Sequence, residues 1–308
     1  MIRPLPHKSR KPWPWNTIPE PRPADWGFGM TVCIAAHSHT AGCIICATDM
    51  LVSTGEMSAD MSARKMHAIG NHWVAMFSGN DISHTTPMLR HVKHLIQIDR
   101  ESLPDVVNAF VSAFKEQLRL RADNEILAAL GYSLDEFKMS GLVQLGAETF
   151  SRILYEIQQT VIDLSFLIAG FDAGVPYIFT VSSPGRVEHY EEVGFWAIGA
   201  GQTHALGAMF NLRKRIRFMD LAPALYRVCE AKFSAENAMG VGPTTYAMIM
   251  YPDGSRCLLP ASGIESLKPL WERTRPSEVA QDVAQKTQSI VDAGDKIRIK
   301  PDAIADHA

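Results

Sequence analysis

The chain of 308 residues has no long hydrophobic run, few cysteines and no surplus of charge of either sign. No apolar stretch approaches the roughly 18 to 20 residues that a membrane span requires. The N-terminus also lacks the uninterrupted apolar core of a secretory signal. The expectation is therefore a cytoplasmic protein with no membrane partner. Five cysteines, Cys33, Cys43, Cys46, Cys229 and Cys257, are few and odd in number, which fits reduced thiols and not a disulfide framework. A formal charge of -3 gives no basic footprint for a phosphate backbone, so no nucleic-acid partner is expected. What is present is core-forming material, since 46% of residues are hydrophobic and 20% charged, enough for one large domain or two.

Composition changes sharply at Met30. Residues 1–29 hold seven of the 18 prolines and three of the six tryptophans, which reads as a disordered extension because proline cannot pair regularly in strand or helix. A Pro-rich docking tail or a pro-segment are the alternatives. A second change follows residue 262. Residues 263–308 turn polar, with one amphipathic helix (Val279, Val283, Ile290) predicted after Pro276. Residues 30–262 form the expected folded domain.

Within that domain the periodicities alternate. Thr31 to His37 and Gly42 to Asp49 are apolar, β-branched runs around a short turn and predict a hairpin. Met66 to Ile69 and His72 to Phe77 predict a second one. Helical spacing follows through Met88, Val92 and Ile96, then through Val107, Phe110, Phe114 and Leu118, with Ser102 as N-cap and Asp105 three residues on. A third helix carries Phe150, Ile153, Leu154 and Ile157. Strands return at Leu164 to Ala169 and Tyr177 to Val181, helices at about 202–212 and 219–236, and a last strand pair at Tyr246 to Tyr251 and Ser255 to Leu259. Blocks of strand and helix in this order predict an α+β protein in which helices enclose two mainly antiparallel sheets.

The order and separation of several short words resemble the proteasome β-subunit type of N-terminal nucleophile hydrolase, including its bacterial proteasome-like branch. Those words are Thr31 opening an apolar strand, ATDM with Asp49, RKMHAI with Lys65, MFSGND with Gly79, LIAGFD at 167–172 and WAIGAG at 196–201. Taken singly, Asp49 reads as a turn or salt-bridge residue and Lys65 as a solvated charge. It is their joint spacing to Thr31 that carries the likeness. The resemblance implies a four-layer αββα sandwich, self-assembly into a homo-oligomer, and a peptide or small amide substrate. It also implies catalytic roles for Thr31, Asp49, Lys65 and Gly79, without a cofactor.

The chemistry of those residue types agrees. A threonine hydroxyl is a poor nucleophile near neutral pH and needs a base, which a free α-amine can supply when threonine comes first. A Lys65 ammonium nearby would favour the developing alkoxide, Asp49 would hold the lysine charged, and the Gly79 N-H could approach an oxyanion with no Cβ in the way. The nucleophile works only once its nitrogen is unblocked. The simpler expectation is that Met30 is the true initiator, removed because threonine is small, so that residues 1–29 are absent from the mature protein. Autocatalytic cleavage and an uncleaved chain are the alternatives.

Departures from the family pattern stand beside the likeness. Gly199, Ala200 and Gly201 occupy the place of a usual Gly-Ser-Gly, and Asn237 to Val241 that of Asp-x-x-Ser-Gly. Roughly 40 extra residues around 120–160 could cover the cleft or form a subunit contact. A catalytically silent scaffold is therefore the second reading. Cys43 and Cys46 sit three apart in one strand and so face opposite sides, which reads as packed thiols. Cys33, two residues from Thr31 on one strand face, reads as a structural neighbour of the site. The pairs His37 with His39 and His91 with His94 lack a third ligand, so no metal is expected. The glycines at 199–201, 240 and 242 lack the strand-to-helix context of a nucleotide fingerprint and read as turns.

Overall fold

The computed structural model describes residues 31–54, 57–60, 65–96, 101–212 and 215–274. The N-terminal extension and the helix expected after Pro276 lie outside the described residues. The first sheet consists of β1 (Cys33–Ser38), β2 (Cys43–Asp49), β10 (Phe195–Ile198), β11 (Thr245–Met250) and β12 (Arg256–Leu259), in the order β10-β1-β2-β11-β12. The second runs β5 (Met66–Ala68), β6 (Trp73–Gly79), β7 (Leu164–Asp172), β8 (Val175–Ser182) and β9 (Arg186–His189) in sequence order. Every strand pairing is antiparallel. A separate two-stranded ribbon joins β3 (Leu51–Thr54) to β4 (Met57–Asp60).

The apolar runs are nearly continuous because both faces of each sheet are covered. Along β1 and β2, Ile34, Ala36, Cys43, Ile45 and Ala47 join a cluster with helices α4 (Gln202–Phe210) and α5 (Leu221–Ala235). The residues between them, Cys33, Ala35, Ile44 and Cys46, join Val74, Met76, Leu167 and Ala169 of the second sheet in a core shared by both sheets. A strand's period of two sends neighbours to opposite faces, so Cys43 and Cys46 lie in different clusters and both remain free thiols. On the outer face of the second sheet Trp73, Phe166, Ile168 and Phe179 pack against helices α1 (Thr85–Leu95) and α2 (Leu103–Arg121). The α+β class expected from the sequence is present as two antiparallel five-stranded sheets with helices packed against them.

Several elements follow directly from local chemistry. The Ser102 side chain caps α2 by accepting from the Asp105 N-H at 3.4 Å, with Pro104 in the first turn. Helix α3 (Leu134–Gln158) begins with a reciprocal capping box between Ser133 and Glu136, and Gly146 breaks its course with φ at 76°. Together with the turns at 122–130, α3 forms the insertion, built on its own small core of Leu127, Phe137 and Ile153. The short strands β9 and β10 have no counterpart among the expected elements, because runs of four residues carry too little periodicity to register. The folded core also passes the compositional change at 263. Helices α6 (Ala261–Glu265) and α7 (Lys268–Thr274) seat Ile264 and Trp271 in the cluster on the first sheet. No helix among the described residues is long and apolar enough to cross a membrane.

Candidate active site

Thr31 lies two residues ahead of β1, and Asp49 is the last residue of β2. The hairpin register places Cys33 opposite Thr48, which brings the two side chains together at one end of the first sheet. Lys65 comes from the other sheet, immediately before β5. Its Nζ stands 2.5 Å from Thr31 Oγ1 and 2.9 Å from Asp49 Oδ1. The Thr31 hydroxyl donates to the same Asp49 oxygen. All three side chains are buried, with 3% of Thr31, 5% of Lys65 and none of Asp49 exposed. Two sheets are thus joined at this end by a direct ion pair with a hydroxyl bonded to both charged groups.

The Asp49 carboxylate is surrounded by donors. Oδ1 also accepts from the Val32 N-H at 3.0 Å, while Oδ2 accepts from the Leu51 N-H at 3.2 Å and the Gly242 N-H at 3.1 Å. Burying a charge is costly unless it is paired and hydrogen-bonded, and five donors meet that demand here. The arrangement can present the Thr31 oxygen to an electrophile while an ammonium beside it favours the charge that oxygen acquires as its proton leaves.

Glycines hold the backbone of Thr31 in place. The Gly201 N-H donates to the Thr31 carbonyl at 3.2 Å. At Gly199, where φ is +99°, an added Cβ would fall 2.3 Å from that carbonyl oxygen. The turn at 199–201 is therefore packed on the threonine itself, a role beyond the plain turn that the sequence indicates. Gly242 is confined in the same way, its would-be Cβ lying 2.6 Å from that of Leu51. The sequence carried one signal for this, the small-residue run 199–201 inside the word WAIGAG.

Gly79 ends β6 with φ at +147°, as expected for a hairpin end leading to a helix. The contact that excludes a side chain there is with Asp163, whose carbonyl oxygen would lie 2.1 Å from an added Cβ. Close packing of β6 on the start of β7 is thus the immediate reason for glycine at this position, and the network of Thr31, Asp49 and Lys65 is complete without it. Asn237 is exposed and donates to the Ser234 carbonyl at 2.8 Å. Its amide is thereby committed within its own turn.

The remaining candidates take structural positions. Cys33 Sγ lies 3.5 Å from Thr48 Oγ1 and donates to the Phe77 carbonyl at 3.4 Å. Burial pushes its thiol up to about 12, and the Thr48 hydrogen bond and Lys65 charge offset this only in part. A thiol so held is protonated and inert at neutral pH. His37 and His39 meet edge to face at 4.4 Å, and His91 Nε2 pairs with Ser112 Oγ at 3.0 Å. Among the described residues no three His, Cys, Asp or Glu side chains form a group that could hold a metal ion. No protein-family model matches the chain and no curated protein matches it.

Proposed function

We propose that the protein is a threonine-nucleophile hydrolase of the proteasome β-subunit type, acting on an amide or peptide bond in the cytoplasm as a homo-oligomer with the four-layer N-terminal nucleophile hydrolase fold. The observation that carries this reading is the approach of Lys65 Nζ to 2.5 Å from Thr31 Oγ1 while it pairs with Asp49 at 2.9 Å, all three side chains being buried. In the proposed reaction Thr31 Oγ1 attacks the substrate carbonyl, and its proton passes to the α-amine of Thr31, which has to be free for the purpose. The oxyanion collapses and expels the amine, which takes that proton, leaving an ester on Thr31. Water, deprotonated by the same α-amine, then hydrolyses the ester and restores the hydroxyl. Lys65 stabilises the negative charge near Oγ1 and Asp49 keeps the ammonium in place. Gly79 is the proposed oxyanion donor by resemblance.

A scaffold that keeps the fold without catalysis is the second reading. It is favoured by Ala200 standing where a hydroxyl would be expected and by Asn237 being turned away to Ser234. Two measurements separate the readings. Mass spectrometry of protein from its native source should find Thr31 as the first residue, and an epoxyketone or β-lactone should label Thr31 in that species but not in Thr31→Ala. Mature-length protein that assembles normally and resists both reagents would establish the scaffold instead.

A further inference from the structure

The corner of the site at Gly242 is closed by a second buried lysine. Lys232, on α5, is fully buried, and its ammonium donates to the Gly242 carbonyl at 2.9 Å, to the Pro243 carbonyl at 2.6 Å and to Glu236 Oε1 at 2.7 Å. All three of its protons are therefore used. Gly242 in turn donates its N-H to Asp49 Oδ2 at 3.1 Å. The same residue thus touches the lysine through its carbonyl and the catalytic carboxylate through its amide. Glu236 is held from the other side by Lys268 at the start of α7.

We infer that Lys232 is a positioning residue for the proposed hydrolase, holding the 242–243 backbone so that the Gly242 N-H stays on Asp49 and the Asp49 carboxylate stays on Lys65 and Thr31. This inference rests on the proposed function. Three observations carry it beyond a simple helix-to-loop staple. Burying an ammonium is expensive, and hydrophobic residues fill comparable positions of the same helix, such as Val228 and Phe233. The carbonyls it binds belong to a segment that also reaches Asp49. The Asp49 charge also acts on Lys232: burial pushes the Lys232 ammonium below the usual lysine range, opposed first by Glu236 and then by Asp49. Lys232 and Lys65 thus act on different oxygens of Asp49, one through the Gly242 amide on Oδ2 and the other directly on Oδ1.

The test compares the rate of Thr31 labelling by a β-lactone, across neutral pH, in wild type, Lys232→Met and Lys232→Arg, with hydrogen exchange measured on the peptide containing Gly242. The expected result is about ten- to hundred-fold slower labelling in Lys232→Met, by analogy with the loss when a hydrogen-bonded partner of a metal ligand is removed. The pH profile should move to higher pH, exchange at Gly242 should accelerate, and Lys232→Arg should recover part of the rate. A folded Lys232→Met labelled at the wild-type rate with an unchanged profile overturns the inference. So does slower labelling with Gly242 still protected. Should Lys232→Met not fold, Lys232→Gln keeps an N-H donor for the carbonyls without the charge, and it too should label several-fold more slowly; a wild-type rate overturns the inference. A wild type that is never labelled removes the proposed function alone. In that event Gly242 exchange still reads the clamp directly, and equal protection in both proteins overturns it.

Discussion

Asp49 and Lys65 form one ion pair, yet removing them should cost different amounts. In Lys65→Met the carboxylate loses one donor and keeps four: the Thr31 hydroxyl and the N-H groups of Val32, Leu51 and Gly242. Its charge remains solvated by the protein, so the loss is about that of one charge-assisted hydrogen bond, about 1.5 to 3 kcal/mol. In Asp49→Asn, by contrast, the Lys65 ammonium loses the carboxylate that balances its charge and is left with neutral acceptors, the Thr31 oxygen and at best the amide oxygen. The new amide also has a single accepting oxygen, so its NH2 group must face N-H or O-H donors at one end or the other. Breaking a buried pair so as to strand a charge costs about 3 to 5 kcal/mol. Urea titration of wild type, both single variants and the double variant measures this. Asp49→Asn should lose more than Lys65→Met by about 1 kcal/mol or more, and the double variant should regain part of the Asp49→Asn loss because the stranded ammonium is gone. Thermal midpoints should fall in step, by about 2 to 4 °C per kcal/mol for a domain of this size. A Lys65→Met protein as unstable as Asp49→Asn, or a double variant whose loss equals the sum of the singles, would refute the reasoning that the backbone amides solvate Asp49.

Two further predictions concern neighbouring parts of the first sheet. Burial pushes the His37 imidazole down to about 4, opposed by its contact with the Glu191 carbonyl and reinforced by His39 and Arg217, and its Nδ1 has no partner among the described residues. Between pH 6.5 and about 4 the unfolded chain binds a proton there that the folded chain refuses, so stability falls as pH drops through that window, by about 3 kcal/mol in full. Urea midpoints taken across it should decline less steeply in His37→Gln than in wild type; identical slopes would remove His37 as the cause. At Gly199, alanine would need φ at +99° and would press its Cβ onto the Thr31 carbonyl. Gly199→Ala should therefore lose stability by about 1 to 3 kcal/mol from backbone strain alone and should label at Thr31 more slowly than wild type. A variant with unchanged melting and labelling would show that this turn does not position the threonine.

The long elements were legible in the sequence because their signals are local. The hairpin at 31–49, the helix capped at Ser102 and the strands at 164–181 each announce themselves through residue periodicity or a capping side chain within a few positions. The spacing of Thr31, Asp49 and Lys65 was visible too, as a pattern whose meaning depended on resemblance. The short strands β9 and β10 were not, since four residues hold no period and are defined by the neighbours they pair with. Nor was the role of Lys232. A lysine in a helix reads as solvent-facing, and only the packing of α5 on the first sheet turns it inward, onto carbonyls ten and eleven residues further along the chain. Asn237 shows the converse, for a residue named from pattern is committed here to Ser234. By itself the sequence determined which segments become strands and helices and which side chains could do chemistry. The tertiary structure alone decided which of those side chains lose their water together, because burial and distance between two sheets are properties of the packed whole and are written in no single stretch of chain.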